Sequence, residues 1–183
     1  MSYKRWLIIA GFLFGIGVAL GLVTPASTVD LFSSEDIATF EELGGILVPF
    51  KTSTAIFIFI KNTSALLISF VLSPIFCLVP LLALIVNGWF LTFVSVMVVQ
   101  EESLGYVLAG LLPHGIFELP ALLLGQAAAL SFGTAAILAL FKKENKTLLL
   151  ANLSRNLKYL LVALALLLPA AVIETYITPL LLT

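Results

Sequence analysis

One histidine, two glutamates and two asparagines are the residues of this chain whose types and setting could do chemistry. His114 and Glu118 stand four apart in Leu112-Pro113-His114-Gly115-Ile116-Phe117-Glu118-Leu119-Pro120, inside a long apolar run. On a helix this spacing puts both side chains on one face, one turn apart. A helix starting at Pro113, a favoured first position, would also place Glu118 near the positive end of the helix dipole. Glu174 sits in the apolar stretch 166–179, with no local partner of opposite charge. Asn62, Asn87 and Gln126 are further polar groups in apolar surroundings, as is Lys61, whose long stem can carry its ammonium to an interface. Charged groups in hydrocarbon cost at least ~2.5–3.5 kcal/mol on insertion scales, so they face the bundle interior and find partners. The economical arrangement gathers Glu174, Asn62 and Asn87 around the His114–Glu118 pair.

Three chemistries fit such a cluster. A divalent metal could take His114, Glu118 and Glu174, since imidazole and carboxylates suit zinc and similar ions. The familiar zinc motifs use two histidines, and this chain has one. A proton or ion relay could use the same groups. The third reading is structural: a hydrogen-bonded network that joins helices, with carboxyls protonated by burial or paired with His114. No G-x-S-x-G elbow occurs and no serine is tied to His114 by spacing, so no catalytic residue and no resident cofactor are expected.

The elements that position these groups follow from composition. The 183 residues are 61% hydrophobic and 10% charged, with a mean hydropathy of +1.19. Soluble domains are nearer half apolar and a quarter charged. Several apolar runs approach the ~20 residues that cross a bilayer. The expected fold is all-α: a single membrane domain over 1–183, with spans near 6–24, 54–73, 75–99, 113–141 and 159–182. The prolines add detail. Pro74 marks the turn between the second and third spans. Pro113, Gly115 and Pro120 predict a broken or re-entrant helix, because proline removes a backbone donor and disfavours helix before it. Gly11, Gly15, Gly17 and Gly21 give the first span small faces for close helix packing. A short interfacial helix is predicted over 33–45, with acids in its first turn and Gly44-Gly45 at its end. Cys77, the lone cysteine, has no disulfide partner and reads as a small buried hydrophobe.

Charge is unevenly spread. The N-terminus and the 142–158 linker hold seven of the nine basic residues, whereas residues 25–53 and 100–103 hold seven of the ten acids. Basic loops stay in the cytoplasm. Five crossings then put the N-terminus and the basic linker inside, with the acidic segment 25–53 and the C-terminus outside. No basic patch with interleaved aromatics is present, so nucleic acid is not an expected partner.

The order of motifs resembles the stage II sporulation protein M family. The matching stretches are Phe59-Ile60-Lys61-Asn62-Thr63, Asn87-Gly88, Leu112 to Ala121 with its PHG-xx-E-x-P core, the small-residue run to Gly133, and Ala170 to Glu174 with Thr178-Pro179. Thr63 departs from the second asparagine usual there. The resemblance implies a multi-spanning protein of the cytoplasmic membrane and lends it no established catalytic activity. In spore formers the namesake acts in engulfment and anchors partners that degrade peptidoglycan, and relatives occur in bacteria and archaea that do not sporulate. The expected role is therefore a membrane scaffold or complex subunit for membrane or cell-envelope proteins, with a homo-oligomer among its assemblies. The alternative is a transporter-like or metal-dependent protein built on the His/Glu cluster.

Overall fold

The structure, a computed structural model, describes residues 2–25, 27, 28, 48–141 and 146–182, with backbone alone at 146–148. The expected interfacial helix at 33–45 lies outside them. Every regular element among the described residues is helical: α1 (Tyr3–Val23), α2 (Thr52–Leu72), α3 (Leu78–Glu101), α4 (Leu104–Phe141), α5 (Lys146–Tyr176) and the single turn α6 (Thr178–Leu181). The first five are long and apolar enough to cross a membrane. Leucines, isoleucines, valines and phenylalanines cover their outer surfaces, among them Phe12, Val71, Ile116 and Leu161. That pattern suits a lipid solvent and makes this a membrane protein.

Helix α4 is the axis of the bundle and touches each of the other five helices. From Gly125 to Ser131 every residue is buried, and a helix apolar on all sides belongs in the centre of its fold. Its small residues allow that position. A side chain at Gly125 would press into Leu66 of α2, and one at Gly133 would overlap the carbonyl of Ser73. Around this axis, Leu66, Phe70, Leu84, Leu130, Leu160 and Leu167 fill the core. Phe70 stacks on Phe132 with ring centroids 4.9 Å apart. Tyr3 stacks on Tyr159 and donates its hydroxyl to the Leu124 carbonyl at 2.7 Å. These contacts tie α1, α4 and α5 together.

The α1–α3 contact is made by glycine, but only in part by the glycines expected. A Cβ at Gly17 would overlap the Ile85 carbonyl, and one at Gly21 would meet the Trp89 carbonyl at 2.6 Å. The partner helix reciprocates with Gly88, where a Cβ would overlap the Phe14 carbonyl. Gly11 and Gly15 face open space and pack against nothing. The Trp89 indole donates to Thr24 at 2.9 Å and closes the end of this pair.

One expectation needs correction. The break predicted around Pro113, Gly115 and Pro120 is absent, because α4 runs as one helix of 38 residues through both prolines. Each proline strips one donor, from the carbonyls of Ala109 and Ile116, and its fixed φ is itself helical. Packing on α3, α5 and α6 outweighs that local loss. Gly115 has no atom within 4 Å of where a side chain would start, so nothing at that position demands a turn. The basic linker is helical from residue 146 on, because Leu153 continues the core stripe of Leu160 and Leu167 at seven-residue spacing.

The turn between α2 and α3 does fall at Pro74. Ser73 is buried there, Phe76 and Cys77 take left-handed φ values of 52° and 55°, and the Cys77 amide donates to the Ser73 carbonyl at 2.9 Å. At the other end of the bundle the Phe50 amide donates to the Thr175 carbonyl at 3.1 Å. The hydroxyls of Thr52 and Tyr176 meet there at 3.1 Å. The start of α2 is therefore fixed to the end of α5, and the site lies just inside that junction.

Candidate functional site

Three helices converge on the predicted polar residues. Continuity of α4 puts His114 and Glu118 on adjacent turns of one rigid helix, with Nε2 and Oε2 3.7 Å apart. Helix α5 brings Glu174 to them near its last turn. One donor atom from each of His114, Glu118 and Glu174 lies within 4.8 Å of the others. Helix α2 supplies Asn62, whose Nδ2 donates to Glu118 Oε1 at 3.0 Å. The two carboxylate oxygens of Glu118 thus face different neighbours, Asn62 on one side and His114 on the other.

Asn87 shares the neighbourhood but not the bonding. Its amide turns back onto its own helix and donates to the Ala83 carbonyl at 2.7 Å. It lines a cavity of about 110 Å³ with Asn62, Ser69, Glu118 and Gln126. In this cavity wall the Ser69 hydroxyl donates to Gln126 Oε1 at 2.5 Å. A larger cavity of about 330 Å³ lies on the opposite side of the cluster, toward the α3–α4 turn. Its walls are apolar, with Phe90, Val94 and Leu111 among them, and His114, Glu174 and Thr178 face it. The His114–Glu118 pair stands between the two cavities.

Two participants lie outside the predicted cluster. Thr178 at the start of α6 sets its Oγ1 3.5 Å from His114 Nδ1. It follows Glu174 by four residues, the same spacing that links His114 to Glu118, so the sequence carried a signal for it. Ser69 follows Asn62 by seven residues and shares its face of α2. Lys61, whose long stem can reach an interface, is exposed on α2.

The arrangement can hold a cation between one imidazole and two carboxylates, pass a proton among them, or bind three helices by hydrogen bonds. Cys77 takes no part. It lies at the far turn against the Leu130 carbonyl and Thr134, where burial pushes its thiol above the usual range.

Comparison with known proteins places this geometry in a lineage. An uncharacterised protein of Methanocaldococcus jannaschii is 27% identical over 174 residues, which cover 94% of this chain and 93% of that one. No solved structure matches the chain. Residues 8–179, which include all five long helices in whole or in part and every residue of the cluster, match the family described as stage II sporulation protein M. The chain belongs to the stage II sporulation protein M family.

Proposed function

We propose that this chain is a non-enzymatic subunit that gathers partner proteins in the cytoplasmic membrane. One observation carries the reading: polar groups face outward at mid-helix depth beside the gap between α2 and α3. Lys61 is the tenth residue of the 21-residue α2, and both it and Asn87 are exposed. Of the helix pairs in extended contact, consecutive α2 and α3 touch least, and the space between them is the polar cavity of Asn62, Ser69 and Asn87. A lysine set toward lipid at such a depth costs about 2.5–3.5 kcal/mol on insertion scales. A neighbouring protein surface with acceptors for that ammonium removes the cost, so this face suits another membrane protein, a second copy of the chain included. Family membership supports the membrane setting. The uneven spread of charge supports an orientation with the N-terminus and residues 142–158 in the cytoplasm.

A photo-activatable residue at position 61 or 87, irradiated in native membranes, tests the reading. Protein adducts are expected at both positions, and a control at exposed Phe12 on α1 is expected to give lipid adducts. Lipid adducts alone at 61 and 87, from a chain that purifies as a monomer with nothing bound, would overturn it.

A further inference from the structure

We propose that His114, Glu118 and Glu174 form a binding site for one divalent transition-metal cation of the zinc or manganese type. This goes beyond the partner-gathering role and stands independently of it.

The donor set is the first reason. One imidazole nitrogen and two carboxylate oxygens, from two different helices, already lie within 4.8 Å of one another. A tetrahedral ion with bonds of about 2.0–2.1 Å needs donors about 3.3 Å apart, a closure that small side-chain rotations supply. Mixed nitrogen and oxygen donors favour zinc or manganese over magnesium, which prefers oxygen alone.

The outer contacts are the second reason. Metal-binding histidines and carboxylates are held by partners on their far sides, which fix the tautomer and aim the ligand atom. Here Asn62 occupies Glu118 Oε1 at 3.0 Å and leaves Oε2 turned inward. Thr178 stands 3.5 Å from His114 Nδ1. A proton on Nδ1 shared with that hydroxyl leaves the lone pair of Nε2 facing the carboxylates. These outer partners leave Nε2 and Oε2 free, 3.7 Å from one another.

Charge and space complete the case. Two carboxylates this close, each partly buried, repel one another. A dication between them cancels that repulsion. The 330 Å³ cavity ends on His114 and Glu174, which leaves a fourth position open to water or to a small ligand.

The test is equilibrium dialysis of the full chain in detergent micelles, purified without a histidine tag and stripped with chelator. Metal is read by mass spectrometry, with zinc, manganese, magnesium and calcium in separate arms. About one zinc or manganese ion per chain is expected, retained against excess magnesium, together with a rise in thermal stability on loading. Glu174→Gln and His114→Gln are expected to weaken binding at least tenfold, and Asn62→Ala about tenfold. Cys77→Ser leaves binding intact. Three results would overturn the proposal: no stoichiometric ion on the wild-type chain, binding of magnesium or calcium alone, or zinc that survives Glu174→Gln and leaves with Cys77→Ser. The wild-type titration decides even if a variant fails to fold.

Discussion

At the scale of single residues, several polar groups in the apolar interior find a partner on a different helix. Glu118 has Asn62, His114 has Thr178, and Gln126 has Ser69. The last pair is fully buried, with Gln126 at 1% exposure and Ser69 also at 1%. Ser69→Ala leaves the Gln126 oxygen without its donor and is expected to cost about 0.6–2 kcal/mol in a denaturation series in micelles. Adding Gln126→Leu is expected to recover part of that loss, because removing both ends of a buried hydrogen bond is nearly neutral. Two fully additive losses would show that the pair is not coupled. How much of this was legible in sequence depended on whether partners share a helix. The His114–Glu118 spacing is local, so it can be read directly. Glu174 could be named only as a costly charge in search of company. The choice of Asn62 over Asn87 as the donor to Glu118 depends on how α2 and α3 are rotated about their axes, which no local pattern records.

At the scale of helices, apolar length is a strong signal and small-residue spacing is an ambiguous one. Five long helices follow from five apolar runs. Gly11, Gly15, Gly17 and Gly21 look equivalent in sequence, yet only Gly17 and Gly21 meet α3, and the reciprocal glycine is Gly88. Gly88→Ala is expected to lower stability by about 1–3 kcal/mol, because its Cβ would overlap the backbone of Phe14 and force α1 away. Gly15→Ala, into open space, is expected to stay within about 0.5 kcal/mol of the wild type. Thermal unfolding of the two variants side by side checks the contrast, and equal losses would refute the α1–α3 contact. The prolines of α4 teach the complementary lesson. Proline reports what a helix loses locally, whereas the continuity of α4 is decided by neighbours on all sides.

At the scale of the whole molecule, the cluster lies nearer the bundle end that carries the α3–α4 turn, α6 and the start of α2. In the orientation proposed from charge, that end faces the outside of the cell. In a Cys77→Ser background, Ser103→Cys is expected to react with a membrane-impermeant maleimide on intact cells. Arg155→Cys is expected to react only after permeabilisation. The reverse pattern would invert the orientation, and the 330 Å³ cavity would then open toward the cytoplasm. Charge statistics make this expectation available from sequence alone, but they are silent on which helix is central. That fact emerges only when Gly125 to Ser131 are seen buried on every side.

The central place of α4 has a consequence for how the chain is made. Helices α1, α2 and α3 leave the ribosome first, yet α2 and α3 touch each other least among the packed pairs and find their common surface only on α4. Until about forty more residues are synthesised, Asn62 has no carboxylate to donate to, and the polar wall of α2 stands open in the membrane. The nascent protein must therefore be sheltered between its third and fourth helices, by the insertion machinery or by its neighbours. A chain stopped after residue 103 is expected to be cleared by membrane proteases within minutes in a pulse-chase. One carried through α4, to residue 141, is expected to persist several times longer. Equal lifetimes would mean that the first three helices are a finished unit on their own.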